Sequence, residues 1–256
     1  ISNEVNWKQN LRVAWLGNFF TGASFSLVMP FMALYVEELG APKSKVEWYA
    51  GLAVSLSALA SALIAPVWGR LADRYGRKPM MVRASLVMTF TMGGLAFVPN
   101  VFWLLALRLL NGLFSGYIPN STALIASQAP KNRSGYALGT LATGMIGGSL
   151  IGPLLGGVLA EWLGIRQVFL LVGFILLICN LLTVFLIKED FKPVEKANAM
   201  STREVFSSIK DKQILIGLFV TSMIIQVLVL LIAPILTLYI RNLGQTENLM
   251  FVSGLI

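Results

Sequence analysis

The chain contains no histidine and only one cysteine, Cys179. Without histidine it lacks the commonest metal ligand and the side chain that titrates nearest neutrality, so a metal site and an imidazole proton relay are not expected. One cysteine excludes a disulfide framework. Cys179 lies inside a long apolar run, where it packs against lipid or a neighbouring helix. Charge is scarce as well: 12% of the 256 residues are charged against 56% hydrophobic, and the mean hydropathy is +0.75. A soluble domain of this size needs more charge than that to cover its surface. There is no G-x-x-x-x-G-K-[ST] phosphate loop and no nucleophile or metal-ligand set, so neither an ATP-driven machine nor an enzyme is expected.

What the chain does have is apolar sequence in long blocks. Runs without Asp, Glu, Lys or Arg extend over 13–36, 48–69, 84–107, 109–130, 134–160, 167–187 and 213–240. About 20 such residues, coiled as a helix, cross a hydrocarbon core of about 30 Å, so each block is expected to span a membrane. These are the first to seventh spans. A β-barrel would show alternating segments of about ten residues, which are absent. The first block is longer than a secretory signal core and has no small-residue cleavage pattern after it.

A net charge of +8 on its own suggests nucleic acid, but the placement of the charge argues against that partner. With the N-terminus inside, 15 of the 20 Lys and Arg residues fall on the cytoplasmic side. They include Lys8, Arg12, Arg70, Arg74, Arg77, Lys78, Arg83, Lys131 and Lys188. Lys43, Lys45, Arg166 and Arg241 fall outside, and Arg108 is left within the membrane. This asymmetry sets the expected topology: a multi-pass cell-membrane protein with a cytoplasmic N-terminus.

Internal repeats point to a built-up architecture. The first span ends Pro30-Phe-Met-Ala-Leu34-Tyr35-Val-Glu-Glu-Leu39-Gly40, and the seventh ends Pro234-Ile-Leu-Thr-Leu238-Tyr239-Ile-Arg-Asn-Leu243-Gly244. Within the first half, Leu63-Ile-Ala-Pro66-Val-Trp-Gly69 echoes Leu150-Ile-Gly-Pro153-Leu-Leu-Gly156. Transporters assembled from three-helix units nested in six-helix halves carry such weak symmetry. The polar stretch 188–212 is expected to be a cytoplasmic linker between a bundle at 1–187 and the start of a second at 213–256. Because the chain begins at Ile1 and the apolar stretch Leu249–Ile256 is too short to span, it is expected to be part of a longer protein.

Three motifs carry the functional reading. Between the second and third spans lies Gly69-Arg70-Leu-Ala-Asp73-Arg74-Tyr-Gly76-Arg77-Lys78. Gly69 allows close helix approach, Gly76 permits a turn, and Asp73 can meet a helix N-terminus or a cation, as a conformational latch requires. In the fourth span Arg108, Asn111, Gly112 and Ser115, with Thr122 beyond, form one helical face. Arg108 either faces a cavity or snorkels to the outer interface. In the fifth span Gly148, Gly152, Pro153, Gly156 and Gly157 combine glycines four apart, which open a groove, with a proline that frees a backbone carbonyl. Candidate cavity residues are Asn18, Phe25, Met29 and Met32 on the first span and Gln226 on the seventh. Packing or lipid contact is the competing reading for those on the first span.

Taken in order, these motifs resemble the major facilitator superfamily, and within it the twelve-helix drug:proton antiporters. The resemblance implies an all-α fold of two six-helix bundles, here the first bundle plus helix 7 and the start of helix 8, working by alternating access. It further implies a monomer in the lipid bilayer that exports small hydrophobic or cationic drugs in exchange for protons. No cofactor is expected, the proton gradient supplying the energy. A sugar or metabolite exporter on the same fold is the alternative. Many relatives carry a membrane-embedded acid in helix 1, 5 or 7, but the seven blocks here contain none. A proton-binding carboxylate is therefore expected in helices 8 to 12, beyond this chain.

Overall fold

Backbone amides in a hydrocarbon environment have no water to bind, so an apolar chain satisfies them by coiling. The computed structural model describes residues 6–191, 213–214, 216–225 and 228 and, among these, every regular element is helical. The helices are α1 (Trp7–Glu38), α2 (Val46–Tyr75), α3 (Arg77–Gly94), α4 (Val101–Leu113), α5 (Tyr117–Gln128), α6 (Ser134–Leu163) and α7 (Ile165–Leu186). The chain divides into two compact units, Ile1–Pro193 and Val194–Ile256. In the second, one apolar helix, Ile216–Ile225, is described. The repeat at 234–244 and most of the seventh span lie outside the described residues.

Six spans are present in the first unit. α1 counts as one, although its segments Trp7–Leu27 and Met29–Glu38 meet at 48°. Pro30 accounts for the bend, since its ring displaces the carbonyl of Ser26 and removes that hydrogen bond. α4 and α5 together make the fourth span, Val101–Gln128. This corrects the expected boundaries. The third span ends in a short turn at Leu95–Phe97, well before Leu107, and the connection to the fourth is Val98-Pro99-Asn100. Asn100 caps α4 by accepting from the Trp103 amide at 3.2 Å. Arg108 is therefore the eighth residue of a helix, and the charge that divided two uncharged blocks sits inside a span.

The spans pack in pairs: α1 on α6, α2 on α4, and α3 on α7. Glycine sets the distance in these crossings. A Cβ on Gly152 would come 2.6 Å from the Ala23 carbonyl oxygen, and one on Gly173 would come 2.7 Å from the Gly93 Cα. Phe90, Phe102, Trp162 and Phe185 point out of the bundle, as a lipid-facing surface requires. Cys179 is buried within it.

Two ends can be told apart. At one, Asn10 donates to the Lys188 carbonyl at 2.7 Å and accepts from the Lys188 amide at 3.0 Å, joining the start of α1 to the end of α7. At the other, Arg166 pairs with Glu38 at 3.1 Å, and the Tyr35 hydroxyl donates to the Leu95 carbonyl. The first end also gathers the α2–α3 turn with Arg77 and Lys78, whereas Lys43 and Lys45 stand at the second.

Candidate functional site

The α2–α3 turn is a single residue. Gly76 has φ +100°, a conformation that side chains with a Cβ rarely adopt. Arg77 starts α3 there, and its guanidinium pairs with Asp73, one turn back, at 2.5 Å on a half-exposed surface. The Arg74 guanidinium lies 5.2 Å from the Tyr75 ring centre. The α3 N-terminus takes its acid from elsewhere: Glu189, just after α7, accepts from the Arg77 and Lys78 amides at 2.8 and 2.7 Å. A Cβ on Gly76 would lie 2.8 Å from that carboxylate. Glycine is thus needed both for the turn and for the cap. Gly69 behaves otherwise, since no described atom lies within 4 Å of a Cβ built on it. The close approach expected at Gly69 is not made within the first unit.

The glycines of α6 face α1. Gly144, Gly148, Gly152 and Gly156 lie four apart on one helical stripe. A Cβ on Gly144 would meet the Trp15 carbonyl at 2.8 Å, one on Gly148 would overlap the Phe19 carbonyl, and one on Gly156 would lie 2.6 Å from Leu27. Gly157 is also buried. Pro153 cannot donate to the Ser149 carbonyl, and Ser26 of α1 supplies the missing hydrogen bond at 2.7 Å. The expected groove is therefore filled by the α1 backbone, and the freed carbonyl is satisfied by α1.

The face of α4 borders a cavity. About 200 Å³ of space is lined by Phe25 and Met29 at the α1 bend, by Val54, Ser57, Ala58 and Ser61 of α2, and by Arg108, Asn111, Gly112 and Ser115. Gly112 brings the α2 backbone close, because a Cβ there would overlap the Ser57 carbonyl. Ser57 donates to the Arg108 carbonyl at 2.6 Å, and Thr91 donates to the Asn111 side-chain oxygen at 3.0 Å. Arg108 is 5% exposed, which rules out snorkelling to an interface, and among the described residues neither its Nε nor the Asn111 Nδ2 has an acceptor. The Ser61 and Ser115 hydroxyls, 2.6 Å apart, separate this cavity from a second of about 150 Å³ that reaches Trp68, Gly69 and Arg77.

Some expected cavity residues lie elsewhere. Asn18 is buried against α5, accepting from Ser121 at 2.8 Å, and Met32 is packed in the core. Thr122 leaves the polar face because the helix breaks between α4 and α5 at Gly116, whose φ is +128°. It is exposed and bonds the Ile118 carbonyl. Gln226 lies outside the described residues. Arg83, expected in the cytoplasmic loop, stands nearly two turns into α3. Its guanidinium lies 3.4 Å from the Trp68 ring centre and donates to the Phe114 and Ser115 carbonyls at 3.3 and 3.0 Å. With Trp68 donating to the Leu113 carbonyl at 2.7 Å, it closes the C-terminal end of α4, where a cation is favourable. A charged residue so near the loop reads as loop in sequence, and no local pattern announces its partner.

The Major Facilitator Superfamily model matches residues 14–256. The multi-drug resistance efflux pump PmrA of Streptococcus pneumoniae serotype 4 is 62% identical over 253 residues, covering 99% of this chain and 63% of that protein. The multidrug resistance protein MdtG of Klebsiella pneumoniae is 52% identical over 254 residues, covering 98% and 62%. The chain thus spans less than two thirds of the length of these relatives. In fold it is similar to the human organic anion transporter MFSD10, with TM-score 0.64 at 19% identity over 80% of this chain and 54% of that one. A peptide transporter POT in complex with sulfate gives TM-score 0.61 at 18% identity over 88% and 46%.

Proposed function

The chain belongs to the Major Facilitator Superfamily, and from that premise we propose that the full-length protein exports small hydrophobic drugs across the cell membrane in exchange for protons. The observation that carries this reading is the cavity between the α1 bend, α2 and α4. It joins an apolar wall, including the adaptable Met29, to a few polar groups, the composition of a site for varied small molecules. The relatives at 62% and 52% identity are named as multidrug efflux and multidrug resistance proteins, which supports drugs over sugars. The N-terminus and the α2–α3 turn face the cytoplasm, as the excess of basic residues at that end requires.

Alternating access needs a contact that holds in one state and releases in another. The Asp73–Arg77 pair and the Glu189 cap on α3 form that latch, joining the α2–α3 turn to the segment that leaves the bundle. The described acids Glu37, Glu38, Glu47, Asp73, Glu161, Glu189 and Asp190 all lie in the first or last turn of a helix or beyond it. The proton therefore binds a carboxylate in the remainder of the protein, and the protein works as a monomer without a cofactor. Expression of the full-length protein in a host stripped of efflux pumps tests this. Ethidium efflux should quicken, a protonophore should abolish the gain, and Asp73→Asn should remove most of it at matched abundance. Efflux no faster than in the empty host overturns drug export; efflux indifferent to the protonophore overturns proton coupling.

A further inference from the structure

Lys188 lies beyond the end of α7, yet both its backbone groups are paired with side chains of the bundle. Asn10 of α1, 1% exposed, accepts from the Lys188 amide at 3.0 Å and donates to the Lys188 carbonyl at 2.7 Å. Gln128, the last residue of α5, donates to the same carbonyl at 3.1 Å. Asn10 gives its second N–H to the Gln128 side-chain oxygen at 2.7 Å, so its amide is fully used. On one side of this clasp Ile187 is buried. On the other come Glu189, which caps α3, and Phe191, whose Cγ would lie 3.2 Å from a Cβ on Gly76. The two attachments differ in kind. The clasp is neutral and centred on a buried amide, so opening it strands polar groups inside the bundle. The cap is a carboxylate on a part-buried helix end, where water can take over the amides.

From this arrangement we infer that Asn10 and Gln128 are positioning residues for the latch: by fixing the Lys188 peptide they hold the Glu189 carboxylate over the α3 N-terminus. When Glu189 lets go, the clasp keeps it next to its site, and the cap re-forms as an intramolecular step at high effective concentration. The releasable half of the latch is carried on a half that stays shut. Opening at the α2–α3 turn therefore does not free the end of α7 from α1 and α5. The inference rests on reading the Glu189 cap as part of the latch and adds the residues that aim it.

Hydrogen–deuterium exchange of the purified full-length protein, read by mass spectrometry on peptides covering Arg77 and Lys78, tests it. These amides open α3, have no intrahelical acceptor and are bonded to Glu189, so their exchange reports the cap directly. Glu189→Ala should speed their exchange roughly tenfold or more. Gln128→Met keeps the length but makes neither bond, and should speed it by roughly threefold to tenfold; Asn10→Leu should do more. Gln128→Glu still accepts from Asn10 and should fall between Gln128→Met and the parent. Combined with Glu189→Ala, Gln128→Met should add nothing at these amides, because the clasp acts through the carboxylate. Exchange in the middle of α3 should stay at the parent rate, which a general loosening would not allow. Unchanged exchange at Arg77 and Lys78 in Gln128→Met overturns the inference, as does acceleration that spreads evenly along α3 or persists in the Glu189→Ala background. Ethidium efflux by the same variants reports separately on the latch and on export. A parent that exports nothing, with amides that behave as stated, refutes the export reading and leaves the clasp standing.

Discussion

The α1–α6 and α2–α4 seams are built on related sequence and end in opposite conditions. The stretches Leu63–Gly69 and Leu150–Gly156 share a pattern. In that register Ser57, Ser61 and Ala65 of α2 stand where Gly144, Gly148 and Gly152 stand on α6. The glycine stripe lets α1 lie so close that added Cβ atoms would strike its carbonyl oxygens. On the serine stripe α4 comes close at Ser57, opposite Gly112, and the space beside that contact is the two cavities. One small side chain per turn, hydroxymethyl at Ser57 and Ser61 and methyl at Ala65, stands where the sealed seam has glycine.

That difference can be broken most forcefully by adding bulk to each stripe. Gly148→Leu must push the α1 backbone aside, a cost at or above the roughly 1–3 kcal/mol usual for overpacking. It should abolish membrane accumulation of the full-length protein, measured by a fluorescent fusion. Ser61→Leu gives up the bond to Ser115 and can extend into the cavities that Ser61 borders, so accumulation should persist while efflux is lost. Equal accumulation of the two variants would erase the distinction between the seams.

Arg108→Leu sharpens the contrast. Removing a buried unpaired charge should leave the unfolding temperature of the purified protein unchanged or raised, since apolar replacements of buried ionic groups are often neutral or stabilising by about 1–4 kcal/mol. Efflux should nonetheless fall, because Arg108 lines the cavity. A lower unfolding temperature would make Arg108 a structural residue. Ser26→Ala, on the sealed seam, should do the reverse. It leaves the Ser149 carbonyl unsatisfied at a cost of about 1–3 kcal/mol, read as a lower unfolding temperature with little change in efflux. The smallest effect is expected at Gly135→Ala at the start of α6, where no described atom lies within 4 Å of the new methyl group, so stability should move by less than about 0.5 kcal/mol.

How much of this was legible in the sequence follows from the range of each interaction. Six spans of the first unit, the glycine groove and the tight turn at Gly76 are local patterns, and period and residue type sufficed to place them. The fourth span does not start where the uncharged blocks place it, because Arg108 is a charge within a helix. The break at Gly116 went unread, which carried Thr122 onto the wrong face. Asn18 looked like a cavity residue because polarity at membrane depth does not say which neighbour uses it; here Ser121 does. The Glu189 cap joins residues more than a hundred positions apart, as does the bond from Ser26 to Ser149. Neither has a spacing that a single sequence can display.

Substrate protection at the hollow seam tests the account's central claim most directly. Ala58 lines the larger cavity and is exposed, whereas Ala142 is exposed on α6 away from both cavities. Each is replaced by cysteine in full-length protein whose own cysteines, Cys179 included, have been changed to serine. Alkylation is then timed with and without ethidium. The account predicts that the drug slows alkylation at Ala58→Cys several-fold, by occupying the cavity, and leaves Ala142→Cys unchanged. Equal slowing at both positions, or none at Ala58→Cys in a protein that still exports ethidium, would contradict it.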